Sequence, residues 1–288
     1  MIEFDFPRVT RPPAAQRLLR TSDGDTPVIE QPVRMVSVDT PEKAHYAGLP
    51  ATAQVKLDRC LARLTDGTFD AFLPGALRAY LAERLTPDAA ERHIAAGNRA
   101  SAVFDVLLDR RLTRPSGARR RTAVIPTGEI IDRYGRLLAY TAPWFAGDSA
   151  DPLPPRDHPD RRTFNLDMVA SGWGALFLVH PSLPHNADLN LLLAEADRAW
   201  TERRGMWAEF GADLLLAYEF RACVKLGAER LDDPKRTVDE AYRRICVDLR
   251  DLSVVGLYNY HEVPPSQRLF VWADAFEQAR KDLDLPGS

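Results

Sequence analysis

The chain has 288 residues, 45% of them hydrophobic and 27% charged, with a net charge of -3. Such a composition describes a folded globular chain with room for one main domain and a smaller addition, and it excludes wholesale disorder. The slight acidic surplus argues against tight, charge-driven binding of nucleic acid over the whole surface and leaves a local basic patch as the place for any anion.

Residues 1–15 carry Pro7, Pro12 and Pro13 and read as an extended N-terminal arm. Gln16 to Ser22 reads as a first strand that enters the turn Asp23-Gly24-Asp25-Thr26, and Thr26 to Glu30 as a short strand. With the turn Gln31-Pro32 and the β-branched run Val33 to Val38, that short strand is expected to form a tight hairpin. From His45 to Leu112 the spacing becomes helical. Leu57, Leu61 and Leu64 make one apolar face, Phe72, Leu77 and Leu81 a second, and Ile94, Val103, Phe104, Leu107 and Leu108 a third, so two or three helices are expected. Thr122 to Ile125 and Arg136 to Thr141 read as strands, with a proline-rich surface loop over 145–162. Phe164 to Ser171 predicts a short helix, Ala175 to Val179 a strand and Ala187 to Arg204 an amphipathic helix. Beyond Trp207, helices are expected at Leu214 to Leu226, Val238 to Leu249 and Ala273 to Leu283, with strands at Val254 to Tyr260 and Leu269 to Trp272.

Cys60, Cys223 and Cys246 lie far apart with no C-x-x-C pair, which argues against a zinc ribbon or a dense disulfide framework. No stretch approaches the ~20 consecutive apolar residues of a membrane helix. The acidic start M-I-E-F-D-F-P-R lacks the apolar run of a signal peptide, so a cytoplasmic protein without a membrane partner is expected.

Chemistry concentrates in Val33 to Glu42, V-R-M-V-S-V-D-T-P-E, which brings a cation and two carboxylates to one strand end. Phosphodiesters resist hydrolysis because an anion repels the nucleophile and the transition state spreads charge over its oxygens, so cations must meet that charge. Asp25 and Asp39 offer oxygen ligands for a hard divalent ion such as calcium. Glu42 offers a general base, and Arg34 and Arg136 offer planar forks that match phosphate. Each piece also has a plainer reading. Asp-Gly turns are common, D-T-P-E serves equally as a helix cap, and the run Arg119 to Arg121 suits a solvated turn. The six histidines show no metal-ligand spacing, and Tyr258, Tyr260 and Trp272 suit strand packing.

Asp23 to Thr26, Arg34 with Asp39 to Glu42, Arg133 to Arg136 and Met206-Trp207, in that order, resemble the pattern of the staphylococcal nuclease (thermonuclease) family. The resemblance spans about Gln16 to Trp207. It implies an α+β fold built on a five-stranded oligonucleotide-binding (OB-fold) β-barrel with packed helices over residues 16–208. A helical insertion at about 50–93 and an α-rich appendage of residues 209–288 are the additions. By likeness, Asp25, Asp39 and the Thr40 carbonyl ligate calcium, Glu42 activates the attacking water, and Arg34 and Arg136 clamp the scissile phosphate. Arg133 and Tyr134 contact a second phosphate, and Phe177 takes the place of a base-stacking tyrosine. The implied activity is calcium-dependent hydrolysis of DNA or RNA to 3′-phosphate ends. The alternative is a non-catalytic barrel that holds nucleic acid or a protein partner. A partner protein or a second copy of the chain is expected at the insertion or the C-terminal region.

Overall fold

The structure is a computed structural model that describes residues 16–285, so the expected arm at residues 1–15 lies outside the described residues. Strands β1 (Arg17–Thr21) and β2 (Pro27–Glu30) pair antiparallel across the Asp23 to Thr26 turn in a two-stranded sheet of their own, so the hairpin expected between Thr26–Glu30 and Val33–Val38 does not form, and Val33 to Met35 pairs parallel with Leu137 to Ala139 instead. The single strand expected from Val33 is two, β3 (Val33–Met35) and β4 (Ser37–Asp39). Ser37 takes a φ of 59°, which swings the chain out of one sheet and into another. Its Oγ is 2.5 Å from the Tyr140 hydroxyl, holding the corner.

Four helices follow: α1 (Ala44–Ala47), α2 (Pro50–Thr65), α3 (Gly75–Ala82) and α4 (Ala89–Leu112). Next come β5 (Thr122–Ile131), β6 (Leu137–Pro143), α5 (Phe164–Ala170), β7 (Ala175–His180), α6 (Asn186–Thr201) and α7 (Met206–Phe210). The C-terminal part holds α8 (Ala217–Leu226), α9 (Pro234–Ala241), β8 (Arg244–Asp248), β9 (Val254–Gly256), β10 (Arg268–Trp272) and α10 (Phe276–Asp282). The helix expected over Val238 to Leu249 therefore ends at Ala241, and Arg244–Asp248 is a strand. Its Ile245-Cys246-Val247 core lies between β9 and β10, where ladder bonds and sheet burial outweigh local helical spacing.

The fold is α+β, and among the described residues no sheet closes into the expected barrel. The larger sheet has the order β4-β7-β10-β8-β9 and the smaller the order β3-β6-β5. Residues 209–288, expected as an appendage, supply three of the five strands of the larger sheet, with β10 running parallel to β7. They also share a core with the helical insertion, in which Leu57, Cys60, Leu77 and Ile94 are buried with Phe220, Cys223 and Leu226. Gly227 at the end of α8 abuts α2 so closely that a Cβ there would lie 1.8 Å from the Lys56 carbonyl oxygen. Arg59 and Arg63 of α2 donate to the Gly227, Leu226 and Ala228 carbonyls, satisfying groups that a helix end leaves unpaired. These contacts fix α8 beside the segment that follows β4. The three cysteines are buried and free. Among the described residues no helix is long and apolar enough to cross a membrane.

Candidate functional site

Strand β4 pairs antiparallel with β7 and delivers Asp39 opposite Ala175. Gly174, just before β7, leaves room for this approach, since a Cβ there would lie 2.4 Å from Val38 Cγ2. Thr40-Pro41-Glu42 then turns over α4 at Gly97, where a Cβ would come within 2.5 Å of the Glu42 carbonyl oxygen. One turn earlier on α4, His93 Nε2 accepts the Glu42 backbone N–H at 2.8 Å. An imidazole that accepts at Nε2 carries its proton on Nδ1, which donates to the Leu215 carbonyl at 3.1 Å. The ring stacks on Phe220 of α8 with centroids 3.9 Å apart. Burial pushes the His93 pKa down to about 3, so the ring stays neutral and ties the Glu42 turn to the C-terminal region.

The charged groups meet on this frame. Arg34 Nη2 donates to Asp39 Oδ1 at 2.7 Å and to the Val38 carbonyl at 3.3 Å. Arg221 of α8 donates through Nη2 to Asp39 Oδ2 at 2.6 Å and through Nη1 to Glu42 Oε1 at 2.6 Å. A longer bond from Nη1 reaches Asp39 Oδ1 at 3.3 Å. The Asp39 side chain is 2% exposed. Burial alone would raise its pKa, but the Arg221 and Arg34 guanidiniums outweigh burial and hold it at about 2. Burial likewise disfavours charge on Arg221, and the Asp39 and Glu42 carboxylates reverse that and raise its pKa above the ordinary value. Two arginines and two carboxylates thus form one compensated cluster.

The residues expected to complete a nuclease site are distributed differently. Thr40 follows Asp39 directly and is half-buried. Asp25 is exposed at the tip of the β1-β2 hairpin, and its Oδ1 accepts from Thr26 Oγ1 at 3.1 Å. Arg136 turns to its own loop, with Nε donating to Asp132 Oδ2 at 2.8 Å and Nη2 2.7 Å from the same oxygen. Arg133 and Tyr134 are exposed and pair with each other at 2.6 Å, and the Arg136 guanidinium lies 5.3 Å from the Tyr134 ring. Phe177, expected to stack on a base, is buried. Tyr218 stacks on it at 5.4 Å and Phe270 packs at 5.2 Å, because it faces the core between β7 and α8. The aromatics that do reach solvent beside the charge cluster are Tyr134, 61% exposed, and Tyr46, 37% exposed. Arg221, Glu42, Tyr134 and Arg133 all act electrostatically on the Tyr46 hydroxyl, though burial is the larger influence and raises its pKa.

A calcium ion does not fit the donor set in this arrangement. Both Asp39 oxygens already accept guanidinium bonds. Among the described residues no three His, Cys, Asp or Glu side chains are grouped to hold a metal.

Arg221 and His93 escape a motif reading. Arg221 acts on acids some 180 positions earlier, and the only local sign is that it shares a helix face with Lys225 at i,i+4. Neither a protein-family model nor a curated protein matches the chain.

Proposed function

We propose that the chain is a thermonuclease-like module that binds the phosphodiester backbone of nucleic acid and does not cut it. The observation that carries the reading is the Arg221 guanidinium spanning Asp39 and Glu42 at 2.6 Å each. A base that is ion-paired is a poor proton acceptor, and a carboxylate with both oxygens engaged is a poor metal ligand. With the acids neutralised internally, the nearby cations are left to an external anion. Arg133 supplies charge, and exposed Tyr134 and Tyr46 supply faces on which bases stack, each stack contributing ~1–3 kcal/mol. We read the passage of Val33–Asp39 from the smaller sheet into the larger as an opened form of the oligonucleotide-binding barrel. The overall charge of -3 is compatible with this, because the patch is local.

The test is fluorescence anisotropy of a labelled single-stranded oligonucleotide in chelator. Saturable binding is expected, weakened about tenfold by Arg133→Gln or Tyr134→Ala. A peptide nucleic acid of the same sequence, which lacks phosphates, should not bind. Equal binding of that analogue, or no binding of the oligonucleotide, would overturn the reading.

A second reading, calcium-dependent hydrolysis, is favoured by one observation: Arg34, Asp39 and Glu42 stand side by side in the order the family pattern implies. It requires Arg221 to leave both acids. Shortening of the oligonucleotide in calcium but not in chelator would establish it.

A further inference from the structure

The Asp39 cluster uses all of its charge internally, yet three more cations crowd its border. Arg244 opens β8 directly opposite Trp272 of β10, one strand away from Phe177 on β7. Its guanidinium carbon is 4.9 Å from the Phe177 ring centroid and 5.1 Å from that of Trp272, so two aromatic rings flank the fork. Among the described residues no carboxylate lies within ion-pair distance of it. Lys225, one turn after Arg221 on α8, donates to the Glu240 backbone carbonyl at 2.8 Å. Arg133, on the β5-β6 loop, donates to the Tyr134 hydroxyl at 2.6 Å. Among the described residues none of the three forms an ion pair with an acid side chain, and Arg244 and Lys225 are both half-buried.

These side chains feel one another. Burial is the larger influence on Arg244, and repulsion from Arg221 and Arg133 adds to it against the opposing pull of Asp39 and Tyr218, so that its pKa falls to about 10. Lys225 is lowered by burial first, then by Arg133, Arg244 and Arg221, with Glu240 opposing. Like charges that outnumber the acids around them cost free energy, and the cost is offset when an anion enters. The fork of Arg244 suits two phosphate oxygens, and Lys225 adds a point charge.

We propose that Arg244, Lys225 and Arg133 form a second phosphate subsite, with the C-terminal region supplying two of its three cations. The subsite rests on the nucleic-acid reading above and extends it: the strand passes from Tyr134 and Arg133 across to α8 and β8, and the next phosphate settles on Arg244. Phe177 then serves recognition as the shelf beneath Arg244, without touching a base.

The experiment measures oligonucleotide affinity in chelator against salt for wild type, Arg133→Gln, Lys225→Gln and Arg244→Gln. Each phosphate contact removed from a single strand should flatten the plot of log K against log salt by about 0.7. Arg244→Gln and Lys225→Gln are each expected to do so and to weaken binding several-fold at low salt, with unchanged thermal unfolding. Wild-type slope and affinity in both variants, while Arg133→Gln is impaired, would remove the second subsite and leave the nucleic-acid reading standing. Absence of binding by wild type would remove both. Inorganic phosphate and pyrophosphate serve as competitors. If either displaces the oligonucleotide at equal concentration of phosphate groups, the site is one for free phosphates and the proposal fails.

Discussion

Replacing Arg221 by Gln keeps the length of the side chain and removes the cation that joins Asp39 to Glu42. Asp39 is almost wholly buried and would retain Arg34 alone, whose side chain is 31% exposed. A carboxyl held at about 2 against an ordinary 3.8 contributes about 2 kcal/mol to stability above pH ~4. Because its pKa is depressed in the folded state, that contribution is complete above 3.8 and is lost as pH falls through about 2. Removing one partner of a buried pair costs ~3–5 kcal/mol. With Arg34 remaining, about 3 kcal/mol is expected for Arg221→Gln at pH 7, or roughly 6 °C in Tm. Denaturant unfolding of Arg221→Gln, Asp39→Asn and the double variant forms a cycle that isolates the pair. A coupling of about 2 kcal/mol is expected, and one below about 0.5 kcal/mol would show that Arg221 is not bound to Asp39 as described.

Two further perturbations probe the frame under the Glu42 turn. His93 is held neutral, its pKa lowered by burial from 6.5 to about 3. The unfolded chain therefore takes up a proton that the folded chain refuses, so stability should fall as pH drops from ~6.5 toward 3. His93→Gln should remove one proton from that slope in pH-dependent unfolding, and an unchanged slope would contradict the neutral ring. Gly97→Ala puts a Cβ 2.5 Å from the Glu42 carbonyl, whereas Gly24→Ala meets nothing within 4 Å. The first should cost ~1–3 kcal/mol in denaturant unfolding and the second under about 0.5. Equal effects would mean that the turn does not rest on α4.

The local elements were largely legible because their signals are local. The Asp-Gly turn marks the bend between β1 and β2, though not their pairing, and leucine spacing marks α2 and α4. Ser37 was not legible as a break, because nothing in S-V-D announces a left-handed residue, and the change of sheet is imposed by Tyr140 and β7. Nor was the strand Arg244–Asp248, whose apolar spacing suits a helix until β10 is placed beside it. At the site, the motif supplies Arg34, Asp39 and Glu42, which meet through Asp39 and Arg221. It was silent on Arg221 because a charge contributed from a distant helix leaves no spacing to read. Asp132 lies within the motif that supplies Arg136, and its competition for that side chain is a matter of loop geometry.

The central claim is that the acids of this site belong to Arg221, and one gel tests it most directly. An end-labelled single-stranded oligonucleotide, shown by anisotropy in the same tubes to be bound, is incubated with the wild-type chain in calcium and in chelator. It is then resolved at single-nucleotide resolution. Full-length oligonucleotide in both lanes is expected. A ladder of 3′-phosphate products that forms in calcium and vanishes in chelator would contradict the claim and show that Arg221 yields its place to the metal.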